Sequence, residues 1–256
     1  MSNAFSQSAP DSTISVKQYF DALQNADEQA FEEKYEPYFL LILSPRQKKV
    51  YQSYQELDER KAYMFYYWKA SNPNPLLPEN DWLLEFNRRV AYAKKQFPHR
   101  RSPYIDDRGK IYIRYGKPRR RFEDSGGSTR AIFFNKENVR GHFKLGGPVN
   151  YTLAANETWS YENVTDDFLV HFVKEGTYFR EIKSLDELVT SGKRVNQVVI
   201  PGGGGARDPS WVYWFWADMV KKRAPVSPVL ARAAAKITDL EHSIEFAIGK
   251  PSIAHM

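Results

Sequence analysis

Arg88, Arg89 and Asp107 are the residues whose types and placing could hold an anion. If the helix carrying the arginine pair lies on a strand beginning near Lys110, one guanidinium can fork onto the Asp107 carboxylate. Such a pair either pins the turn ahead of the strand or forms a site for an anion or peptide carboxylate. A single Arg–Asp pair is more often architecture. Tyr104 and Arg108, in the same turn, complete the candidate binding set. Asp106 beside Asp107, with Glu79 and Asp81 elsewhere, supplies the carboxylates that acid–base work or a divalent ion would need. Adjacent residues in an extended segment point to opposite faces, so a solvated turn is the simpler reading.

Other chemistries find less. The glycine run Gly202–Gly205 follows a strand-like segment, yet it lacks the Gly-Lys-Ser/Thr ending of a phosphate loop and reads as a hinge. The histidines His99, His142, His171, His242 and His255 show no metal-ligand spacing. His171 is expected on the solvent side of an apolar strand. Gly-x-Ser-x-Gly is absent. No catalytic residue, metal site or cofactor is expected. The basic clusters His99-Arg100-Arg101 and Lys117–Arg121, with Arg119, Arg120 and Arg121, flank the same expected strand and suit an anionic polymer. The aromatic run Trp211–Trp216 is apolar all round, which implies burial or a surface for a partner or second copy.

Composition sets the frame. A chain of 256 residues with 42% hydrophobic side chains can bury one large core or two small ones. The net charge of +6 is too small to argue for nucleic acid by itself. Absence of cysteine excludes disulfides and thiolate chemistry. No apolar run approaches the roughly 20 residues of a membrane span. The first residues lack the charged and apolar stretches of a secretory leader, and the chain reads as a mature form or a fragment.

The elements follow from periodicity and breakers. Residues 1–12 are expected to be disordered. Val16, Tyr19, Phe20, Leu23 and Phe31 predict one helix across 13–37, ended by Pro37. Ser44-Pro45-Arg46-Gln47 reads as a helix start with a capping box. Further helices are expected over 56–70 and 79–97, the second with a stripe of Leu83, Phe86, Val90, Ala93 and Phe97. Ile111, Ile113 and Tyr115 alternate as in a half-buried strand. Strands are expected at 131–134, 158–161, 168–173 and 178–182, with long loops at 123–129 and 140–157. Connectors too short for crossovers imply an antiparallel meander. Ser184–Thr190 suits a short helix, Asp208-Pro209 opens another, Pro225 interrupts it and Ser227-Pro228 starts the last.

Taken together, the helix ending in Trp68, Asn72-Pro73, Pro78-Glu79-Asn80-Asp81, Phe86–Ala93, Asp107–Pro118, the Trp159-x-Tyr161 pair and Phe168–Phe172 resemble the GWxTD-domain proteins of bacteria. The likeness spans roughly 38–182. It departs where Pro103-Tyr104-Ile105-Asp106-Asp107 replaces Gly-Trp-x-Thr-Asp and where Ser71-Asn72-Pro73 replaces Arg-Asp-Pro. The resemblance implies an exported envelope protein, periplasmic or outer-membrane-associated, without an agreed activity.

The resulting expectation is an α+β fold: a helical N-terminal part, a central antiparallel sheet packed on the long amphipathic helix, and C-terminal helices. Its divisions are a tail (1–12), a helix (13–37), a domain (38–200), and a glycine hinge with helices (201–256). The expected function is a non-enzymatic binding or scaffold module, partnered by an envelope protein or by itself. The alternatives are an anionic-polymer or nucleic-acid binder and a hydrolase.

Overall fold

The computed structural model describes residues 14–135, 144–190 and 210–248 except 78, 163, 166, 167 and 186, without the side chains of 128–152, 189–190, 210–215 and 240–248. The glycine run and residues 1–12 therefore lie outside the described residues. The fold is α+β. Its contacts separate into two units, Met1–Gly116 and Lys117–Met256, so the expected 38–200 domain is divided within its length.

The first unit is helical: α1 (Val16–Asn25), α2 (Glu28–Lys34), α3 (Glu36–Ile42), α4 (Pro45–Tyr51), α5 (Leu57–Ala70), α6 (Asp81–Gln96) and α7 (Asp107–Tyr115). The single helix expected over 13–37 is broken instead at Ala26, because Asp27 caps a new one by accepting from Ala30 N at 2.7 Å. Pro37 sits in the first turn of α3, where its missing N–H costs nothing. The capping box of Ser44 and Gln47 forms as expected.

Rings fill this unit's core. Trp68 is fully buried, with Phe86 at 4.9 Å and Phe39 at 6.0 Å between ring centres. Asn80 ties α5 to α6: its side chain accepts from Leu83 N at 3.0 Å and donates to Trp68 O at 2.6 Å.

The strand expected at 111–115 is a helix, and this is the largest correction. Asp106 caps α7 by accepting from Arg108 N at 3.0 Å and Gly109 N at 3.3 Å. Gly116, at φ +82°, ends it. Gly109 and Ile113 are buried at helical spacing, Gly109 because Ile105 and Phe97 cross too closely for a side chain. Accordingly α6 packs on α7, not on a ribbon.

The second unit holds β1 (Arg120–Asp124), β2 (Gly127–Asn135), β3 (Lys144–Leu153), β4 (Asn156–Ser160), β5 (Leu169–Glu175), β6 (Tyr178–Ile182), α8 (Glu187–Thr190), α9 (Ser210–Lys222), a 3-10 turn (Ala224–Val226) and α10 (Pro228–Ile248). All strand pairings among the described residues are antiparallel. Only β4, β5 and β6 form the expected meander, because β1 pairs with β4 across the separate β2–β3 hairpin. The long loops expected at 123–129 and 140–157 are mostly strand. Leu153, Val173 and Ile182 from the strands pack with Met219, Val220 and Leu230 from the helices. No helix among the described residues is long and apolar enough to cross a membrane.

Candidate functional site

The residues singled out in the sequence do not assemble as expected. Arg89 reaches the C-terminal end of α7, donating to Ile113 O at 3.4 Å and Arg114 O at 3.5 Å, and also to Glu85 at 2.8 Å. It lies 5.1 Å over the Trp82 ring. Asp107 sits at the opposite end of that helix, about 10 Å away at about 1.5 Å per residue, and takes Lys110 at 2.8 Å. Arg88 takes Glu85 at 3.3 Å. The carboxylate that fixes this turn is Asp106, 3% exposed, with Arg108 Nη2 at 2.8 Å. Arg108 itself covers the Phe97 ring at 5.0 Å.

Tyr104 is exposed, and at φ +61° it is the one positive-φ non-glycine among the described residues. Its N–H donates to Arg101 O at 2.7 Å and its carbonyl accepts from His99 N at 2.9 Å, closing the loop that carries Arg100 and Arg101.

The second basic cluster is largely neutralised. Arg119 pairs with Glu162 at 2.9 Å, Arg120 approaches the same carboxylate at 3.8 Å, and Arg121 meets Glu123 at 2.8 Å and Glu157 at 2.9 Å. A helix, not a strand, lies between the two clusters in sequence.

His171 is not on a solvent face. Its Nδ1 lies 2.8 Å from Thr158 Oγ1, which accepts from Arg223 Nε at 2.9 Å. Arg223 is fully buried, also bonded to Asn156 and to Met219 O, and stacked 4.4 Å over Phe122. Desolvation first, and the Arg223 charge second, push the His171 pKa down to about 4. This cluster clamps the 3-10 turn to the sheet.

What the sequence did not reveal is a cleft of about 450 Å³ in the first unit, bounded by α1, the end of α2, α3 and α6. Tyr19, Tyr35, Tyr38, Phe86, Val90 and Ala91 form its apolar wall; Lys34, Arg88, Lys94 and Lys95 are its charged residues. No carboxylate among the described residues lines it. Among the described residues, no salt bridge involves Lys34, Lys94 or Lys95, whereas Arg88 has Glu85.

The Lys94 ammonium leans 4.5 Å over the Tyr38 ring, although the residue as a whole is exposed. Its pKa is lowered by partial desolvation and then by Lys34. Burial raises the Tyr38 pKa to about 12, so the phenol stays neutral, and it donates to Pro103 O at 2.7 Å. In the same lining, Asn87 Nδ2 is buried without an acceptor. Asn87, Ala91, Lys94 and Lys95 recur at helical steps along the flank of the α6 stripe, which is the signal that could have found them.

Among the described residues no three metal-ligating side chains gather. No family model matches the chain, nor does any curated protein or solved structure. The molecule is thus an α+β chain whose first unit carries an apolar, cation-rich cleft.

Proposed function

We propose that the protein is a non-enzymatic binding module and that the cleft between α1, α3 and α6 is its binding site. One observation carries this reading: a ligand-sized apolar cavity is lined by four cations, Lys34, Arg88, Lys94 and Lys95, and by no carboxylate among the described residues. Ligand sites are concave, mostly apolar volumes of about 300–1,000 Å³ with a few placed polar groups.

A neutral fluorescent dye, N-phenyl-1-naphthylamine, tests the cavity. Dye emission should rise on binding, and Ala91→Trp should abolish the response while leaving the circular dichroism unchanged, because Ala91 is an exposed helical position. Binding that persists in Ala91→Trp, or no binding to the wild type, overturns the assignment.

The resemblance to GWxTD-domain proteins supports a place at the bacterial envelope, and it rests on residue order alone. Fractionation of native cells tests it: recovery in the cytoplasm would remove that part of the proposal. The polymer-binding alternative is weakened by the acids already bound to Arg119, Arg120 and Arg121.

A further inference from the structure

Building on that reading, we infer that the cleft selects an amphipathic carboxylate, an alkyl or aryl acid whose charged end meets Lys34 and Lys94 while its body lies along the aromatic wall. Three features converge. The wall is made of ring and aliphatic surface from Tyr19, Tyr38, Phe86 and Val90, which excludes a fully hydrophilic anion. Four cations and, among the described residues, no acid line the same space, so a positively charged ligand is repelled and a negative one attracted.

The Lys34 charge, on α2, is close enough to disfavour that of Lys94, on α6. No salt bridge relieves either among the described residues. An anion placed there removes the repulsion and gains charge-assisted hydrogen bonds.

The volume of about 450 Å³ is small for a lipid with two chains and ample for a single chain or ring system. A folded protein partner would need a far larger contact, about 800 Å² on each side.

Displacement of the neutral dye by octanoate, octan-1-ol and octylammonium, which share one chain and differ in charge, tests the inference. Octanoate should compete at least about tenfold better than octan-1-ol, given that hydrogen bonds to charged groups contribute about 1.5–3 kcal/mol, and octylammonium should be weakest. Combining Lys34→Met with Lys94→Met should erase the octanoate preference while dye and alcohol still bind. Equal competition by octanoate and octan-1-ol overturns the carboxylate inference and leaves the cavity assignment standing, as does a preference surviving in the double variant. Failure of the dye to bind the wild type takes both down.

Discussion

Lowering the pH should loosen the second unit through one residue, His171. In the folded chain Arg223 can only donate, so Thr158 Oγ1 accepts from it and turns its own proton towards His171 Nδ1. That assigns the neutral tautomer with its proton on Nε2. Protonation would reverse the last bond and add a positive charge beside the guanidinium, in a site already poor in water. These causes hold the folded pKa at about 4 against 6.5 for the free side chain.

Between those values the unfolded chain binds a proton that the folded chain refuses. Stability is therefore complete above about pH 6.5 and lost as pH falls towards 4. At about 1.4 kcal/mol for each pH unit the ceiling is about 3 kcal/mol, trimmed towards about 2 because the residue keeps partial contact with solvent. Urea unfolding of wild type and His171→Asn, followed through the amide resonances of Val170–Val173, isolates the effect from other titrations. The wild-type advantage should shrink by about 2–3 kcal/mol between pH 7 and 4, and the imidazole resonance should titrate near 4. A midpoint near 6.5, or an advantage independent of pH, would refute the reasoning.

Arg223→Met should shift the His171 midpoint upwards, yet not fully to 6.5, since desolvation is the larger cause; NMR titration of the variant reads this directly. Asp106→Ala should cost about 2–4 kcal/mol, through a lost cap and a broken buried pair with Arg108, whereas Asp107→Ala should cost about 0.5 kcal/mol; thermal melts of both variants separate them. Gly109→Ala adds a good helix former but places a Cβ 2.9 Å from Ile105 Cβ. The overpacking penalty of about 1–3 kcal/mol should exceed the propensity gain of about 1 kcal/mol, giving a lower unfolding midpoint.

Punctuation in the sequence proved more informative than short-range periodicity. Ser44 with Gln47, and Ser227 before Pro228, marked helix starts that the structure contains, and 178–182 matched β6 residue for residue. The error at 111–115 arose because five residues of alternation fit a strand, while burial follows Gly109 and Ile113, a spacing equally present in the sequence. Asp106 ahead of the segment and Gly116 after it are helix boundaries of the kind trusted elsewhere.

Applying that logic uniformly also moves the arginine. Once 107–115 is a helix, its free carbonyls gather at Ile113 and Arg114, and a guanidinium is drawn to that negative end, away from the carboxylate at the other. His171 was misplaced for a different reason. Alternation along β5 correctly separated Val170 and Phe172 from it, but its own face is covered by Arg223, some fifty residues later in the chain.

The cleft was illegible for the same nonlocal reason. Tyr19, Lys34, Tyr38 and Lys94 come from different helices, and each has an ordinary local role as core ring or surface charge. Only their convergence leaves cations facing an apolar wall with no acid among the described lining residues. That imbalance is a tertiary property, and it is why the ligand experiment, rather than another motif, decides the function.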